Sequence, residues 1–119
     1  MAHVARGGEL AFRGLPGRSA ADPLAGAEAD GATVRLVRVP PGPRAPHVHD
    51  ESLEVIYVAE GAGRHYQGGE PTPVGAGDTV LVPAGVPHAT VADEELLLVC
   101  FFPHADPFAT TRELEGELR

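Results

Sequence analysis

Three histidines and a glutamate, His47, His49, Glu54 and His88, are the residues whose types and spacing could do chemistry. The first three fall within PHVHDESLEVIYVAEG, Pro46 to Gly61, and the fourth closes GDTVLVPAGVPH, Gly77 to His88. Three imidazoles and a carboxylate form a ligand set for one divalent transition metal ion per chain, and Fe, Mn, Zn, Ni, Cu and Co all accept it. On an octahedral ion, four protein ligands leave two positions for water, dioxygen or a bidentate substrate. Such a centre acts as a Lewis acid toward an enolate, diol or carboxylate, or supports dioxygen chemistry with a redox-active metal.

The elements between these residues must bring them together. Side chains two apart on a strand share a face, about 6.5–7 Å apart at the backbone. His47 and His49 therefore face one way and Val48 the other. Glu54 opens the next strand and shares a face with Ile56 and Val58, so a carboxylate stands at one end of an apolar stripe. A carboxylate on a core face is costly unless it is paired or holds a metal. His88 comes from a different hairpin, aimed by the turn Pro83-Ala84-Gly85-Val86-Pro87.

The wider chain carries the punctuation of a β protein. It has 15 Gly and 12 Pro among 119 residues, without a collagen-like period. That pattern indicates short strands joined by tight turns. Strands are expected at Thr33–Val39, around His47–His49, Leu53–Val58, Gly63–Gln67, Asp78–Pro83, His88–Ala92 and Glu95–Phe102. Gly61, Gly77 and Gly85 are read as turn residues, and Asp93-Glu94 as a further turn. The spacing of these strands indicates an all-β sandwich or barrel. Residues 1–32 form an irregular lead-in with room for an edge strand around Glu9 to Arg13. Residues 33–105 form the barrel, and residues 106–119 a tail or short helix from Thr110 or Thr111.

These motifs resemble the cupin family. Its first motif is matched by Gly42, His47, His49, Glu54 and Gly61, with four residues between His49 and Glu54 and six between Glu54 and Gly61. Its second is matched by Gly77, Pro83, Gly85 and His88. Two departures lie outside the ligand positions: four residues separate Gly42 from His47, and Ala92 stands where the second motif often has Asn. The resemblance implies a small antiparallel jelly-roll barrel of the single-domain type. It places His47, His49, Glu54 and His88 at metal-ligand positions.

Other residues are weaker candidates. His65 and Tyr66 lie on opposite faces of one strand, and His65 is read as a surface residue. Cys100 shares a face with Leu96, Leu98 and Phe102 and is read as a small buried hydrophobe. Arg35 and Arg38 lie on opposite faces, so one could clamp a substrate carboxylate, though both are read as surface or interface residues. His104 and Asp106 follow the last strand and could border a pocket mouth. Ile56, Val58, Leu81 and Leu98 are the expected pocket walls.

Composition limits the partners. A net charge of −8 without a Lys/Arg cluster argues against nucleic acid and anionic membrane. One cysteine permits no intrachain disulfide, and the first residues carry no apolar run of signal-peptide length, so the expected location is cytoplasmic. The expected function is a small metal-dependent enzyme acting on an organic metabolite, either dioxygenase-like or an isomerase, cyclase or decarboxylase. Glu54 doubles there as a proton shuttle. The alternative is a non-catalytic cupin that binds or senses a small molecule. A homodimer is expected because Glu95–Phe102 is apolar on both faces.

Overall fold

Alternating apolar residues and glycine-rich turns produce an almost entirely antiparallel β structure in the computed structural model, which describes residues 2–119. Nine strands are assigned: β1 Arg13–Leu15, β2 Arg18–Ala21, β3 Thr33–Val39, β4 His47–His49, β5 Glu54–Tyr66, β6 Thr72–Gly75, β7 Thr79–Val82, β8 Ala89–Phe102 and β9 Thr111–Glu113. The larger sheet runs β1-β2-β3-β8-β5-β6, with β7 also on β5, and the smaller pairs β4 with β9.

Two long strands replace four expected short ones. Leu53–Val58 and Gly63–Gln67 fall largely within the single strand β5, and His88–Ala92 and Glu95–Phe102 within β8. The register between β5 and β8 shifts between Val58 and Gly63, so the chain bulges and bends where a turn was expected. Gly61 makes this possible. Its φ is +89°, and a Cβ there would stand 2.1 Å from the Glu95 carbonyl oxygen. Asp93 and Glu94 stay within β8 as exposed residues.

The ends of the chain also differ from expectation. The lead-in contributes a hairpin, β1 and β2, displaced from the expected edge at Glu9 to Arg13, and β2 pairs with β3. The tail is no α-helix. A short 3₁₀ turn at Pro107–Thr110 leads into β9, which pairs with β4. The histidine strand has backbone bonds to offer, and pairing satisfies the tail better than a short helix interrupted by Gly116.

The core lies on the inner face of the larger sheet and includes Val39, Ile56, Val58, Leu96, Leu98 and Phe102. The opposite face of the larger sheet stays apolar and open. Val55 stands opposite both Leu81 and Phe101, and Tyr57 opposite Val99. Leu81 is 59% exposed, Tyr57 45% and Phe101 39%. Leu81 therefore does not wall the space around the four candidate ligands; its parity on β7 points it outward.

Candidate metal centre

β4 is enclosed on both sides. Its residues pair with β9 as His47–Glu113, Val48–Arg112 and His49–Thr111. On its other side His47 forms a β-bridge with His88, and Gly85 N–H donates to the His49 carbonyl at 2.9 Å. Gly85 has a φ of +78°, which lets the Pro-Gly turn close against the strand. Glu54 starts β5 opposite Val82 and points inward.

This arrangement brings together all four residues singled out by their spacing. One potential ligand atom from each of His47, His49, Glu54 and His88 lies within 4.8 Å of the other three. All four residues are buried, Glu54 at 4% exposure. The His47 and His88 ring centres are 4.3 Å apart, those of His47 and His49 5.0 Å, and those of His49 and His88 5.3 Å.

Hydrogen bonds set which nitrogens face the cluster. The Thr111 hydroxyl donates to the Pro107 carbonyl at 3.0 Å, which uses its proton. It must then accept from His49 Nδ1–H at 2.6 Å, leaving His49 Nε2 as the lone-pair nitrogen. His88 Nδ1 lies 2.9 Å from the Val86 carbonyl, which can only accept, so that nitrogen carries the proton. In the neutral ring its Nε2 then presents a lone pair 2.9 Å from Glu54 Oε1. Two acceptors face each other stably only with a cation between or beside them.

Two buried nitrogens fit the same requirement. His47 Nδ1 and His49 Nε2 have no hydrogen-bond partner, although His49 Nε2 lies 3.3 Å from Glu54 Oε1. Orphaned imidazole nitrogens beside a buried carboxylate make a donor set suited to a transition metal ion. Electrostatics agree with this. Burial, reinforced by His88 and Arg44, pushes the His47 pKa down to about 2, so the ring stays neutral. Burial opposes ionisation of Glu54, but positive charge at the His49 and His88 nitrogens, as a ring proton or a cation in its place, outweighs it and holds the pKa well below the carboxylate range.

An outer cavity of about 220 Å³ opens onto His47, His49 and Glu54, with Phe102 and Phe108 among its walls. A smaller inner cavity of about 40 Å³ lies beside His47, Glu54 and His88, with Ile56, Leu98 and Cys100 among its walls. Val58 is buried in the core and lines neither cavity. Cys100 is a buried thiol as expected, yet it faces both cavities. Burial, with the charge of Glu54, pushes its pKa well up, so it is no nucleophile.

The remaining candidates are redistributed. Arg35 lines the outer cavity, bound through two nitrogens to Asp22 at 2.7 and 3.1 Å and stacked 3.5 Å from the Phe108 ring centre. Arg38 lies over Phe12 instead. His104 lies 4.0 Å from Glu51 and accepts from the Asp106 backbone N–H at 2.9 Å, outside both cavity linings. His65 is buried, which corrects its surface reading. Its Nδ1 is 3.0 Å from Thr90 Oγ1, its Nε2 is 2.7 Å from Gln67, and its ring lies 6.0 Å from that of His88. Arg18, Arg44 and Thr111 carry no motif signal, because tertiary pairing alone brings them to the site.

A family model described as the cupin domain matches residues 35–102, more than half of the chain. The chain belongs to the cupin family. Solved structures agree on the fold. Streptomyces PAC13, described as a nucleoside dehydratase and also known with uridine, is 21% identical with a TM-score of 0.79, covering 97% of this cupin and 92% of that chain. The polyketide cyclase RemF from Streptomyces resistomycificus is 20% identical with a TM-score of 0.81, covering 98% and 87%. A predicted oxalate decarboxylase from Thermotoga maritima is 19% identical with a TM-score of 0.70, covering 83% and 96%. No curated protein matches. At these identities the likeness is one of fold, and the cupin barrel hosts many reactions.

Proposed function

We propose that this cupin is a small enzyme acting on an organic metabolite at a mononuclear divalent-metal centre. His47, His49, Glu54 and His88 would be the ligands. The observation that carries the reading is the buried convergence of their four donor atoms beside a cavity of about 220 Å³. A bound ion would supply Lewis-acid polarisation of a substrate oxygen, or dioxygen chemistry if redox-active.

The protein's own groups would do the rest. Thr111 and the Val86 carbonyl hold two rings in one tautomer, with their bare nitrogens facing inward. Phe102 and Phe108 line the outer cavity and would give a substrate an apolar wall. Glu54, kept ionised, would shuttle a proton at Oε1, where His88 already approaches it. A dehydratase, a cyclase and a decarboxylase share this fold among the neighbours, which favours the non-oxidative branch over a dioxygenase-like one.

Metal analysis of protein purified without added metal tests the centre, with one ion per chain expected. Turnover screens with and without oxygen consumption separate the two branches. A folded His49→Ala variant with full turnover would overturn the catalytic reading. A protein that binds a small molecule without turning it over would favour the sensing alternative.

The open face of the larger sheet supports a homodimer through a second copy of this chain, because its apolar stripe is continuous across three strands. Among the described residues no helix is long and apolar enough to cross a membrane. A cytoplasmic location remains part of the proposal, consistent with a single buried free cysteine.

A further inference from the structure

Arg44 lies three residues before His47 and is only 7% exposed. One of its terminal nitrogens donates to the Thr90 carbonyl at 3.0 Å, using one of five guanidinium donors. Its backbone is fixed independently, by bonds of 2.9 and 2.7 Å exchanged with Leu118. The fold's requirement at this position is thus met by the main chain, and the charged head is not needed for it.

What distinguishes Arg44 is a missing counterion. Arg35 is neutralised by Asp22, and Arg18 meets Glu113 at 2.9 Å. Among the described residues no carboxylate pairs with Arg44 within 4.0 Å. Burial, and then the charge of Arg18, push its pKa down to about 10, with Glu113 and Glu54 only partly opposing. It therefore remains a cation at neutral pH, and a buried cation without a counterion is costly.

The surroundings point the same way. Of the nine basic residues in a chain of net charge −8, three line the two cavities: Arg18, Arg35 and Arg44. The inner cavity lies between Arg44, Arg18 and the His47–Glu54–His88 side of the cluster. At about 40 Å³ against about 220 Å³, it suits the small head of a ligand whose body fills the outer cavity.

We propose that the ligand of this site is a small carboxylate whose charged head seats against Arg44 in the inner cavity. The remainder of the molecule then faces the four-residue cluster. A planar carboxylate matches the guanidinium fork, which can donate two parallel hydrogen bonds. The assignment of this head as part of a substrate rests on the enzyme reading above, whereas the anion seat itself does not require a metal.

Calorimetric titration with malonate and with its neutral counterpart malonamide tests the seat. Wild type and Arg44→Met are compared, each loaded with zinc and each stripped by chelator, with melting curves as the check on folding. Wild type should prefer malonate by at least about tenfold, and Arg44→Met should lose about tenfold for malonate alone, as expected for charge-assisted hydrogen bonds. Zinc content should not change. Malonate affinity that is equal in the two proteins, or a wild type without charge preference, would overturn the proposal. Should Arg44→Met not fold, the wild-type preference and its reduction in Arg18→Met decide it. Protein that holds no zinc yet prefers malonate through Arg44 would remove the metal reading and keep the anion seat. One zinc per chain without charge preference would do the reverse.

Discussion

His47 and His88 exchange both backbone hydrogen bonds, His47 N–H to the His88 carbonyl at 3.0 Å and His88 N–H to the His47 carbonyl at 2.9 Å. Two candidate ligands from distant parts of the chain are thus placed by main-chain pairing, independent of their side chains. Truncating either side chain should therefore leave both backbone bonds in place.

The first prediction follows from this pairing. His88→Ala should keep the fold, losing about 1–3 kcal/mol because the Val86 carbonyl forfeits the 2.9 Å bond from His88 Nδ1–H in a partly buried setting. Its metal content should fall well below one ion per chain. Equilibrium denaturation and elemental analysis read the two effects separately, and full metal occupancy in the variant would contradict the assigned role of His88.

Thr111 provides a finer test, because its hydroxyl touches His49 without belonging to the cluster. Thr111→Val should free the His49 ring to adopt the wrong tautomer and weaken metal binding by about 10–100-fold, the usual effect of losing such a supporting bond. Thr111→Ser keeps the hydroxyl and should retain most of the affinity. Competition with a chromophoric chelator measures both, and equal affinities for Val and Ser would show that the bond orients nothing.

The four cluster residues were legible in the sequence because each stands at a fixed offset from a turn or strand start. The bend in the barrel was not. Gly61 looks like a turn residue, since the same freedom at positive φ serves turns and bulges alike. Only the approach of the Glu95 carbonyl distinguishes them, and that contact is set by β8, far along the chain. The tail misled for a related reason. RELEGELR carries helix-forming residues, yet β4 offered it a strand partner, and tertiary pairing overrides local propensity. His65 alternates with Tyr66 as expected, but which of the two faces inward depends on the register shift across Gly61.

Gly61→Ala should therefore be strongly destabilising. The backbone conformation alone costs a non-glycine residue about 1–3 kcal/mol, and the added methyl would stand 2.1 Å from a carbonyl oxygen. Gly77→Ala shares the positive φ but meets nothing within 4 Å, so it should lose less. A comparison of urea midpoints tests the ordering, which fails if the two variants unfold together.

The exposed stripe predicts association. Phe101 and Leu81 flank Val55 on neighbouring strands, so a charge at either interrupts the same apolar surface. Wild type should sediment as a dimer at micromolar concentration, and Leu81→Lys with Phe101→Lys as a monomer with its melting curve still cooperative. A wild-type monomer would remove the second copy from this face.

His65 predicts how the metal-free fold responds to acid. Burial lowers its pKa below the ordinary imidazole value of 6.5, with the hydrogen bond to Gln67 only partly opposing. Below 6.5 the unfolded chain therefore binds the proton more readily than the folded one, and stability falls as pH falls. The contribution of His65 is complete above 6.5 and declines until the folded ring itself protonates. His47, depressed further by its burial, adds a loss of the same sign that continues to lower pH. Replacing His65 with Gln should remove one of these two slopes, so that the urea midpoint changes less between pH 6.5 and about pH 5 than in wild type. The comparison is one of slopes, because the variant also gives up the bonds to Thr90 and Gln67 and starts from a lower midpoint. Parallel pH profiles for the two proteins would mean that His65 titrates in the folded barrel as it does in the open chain.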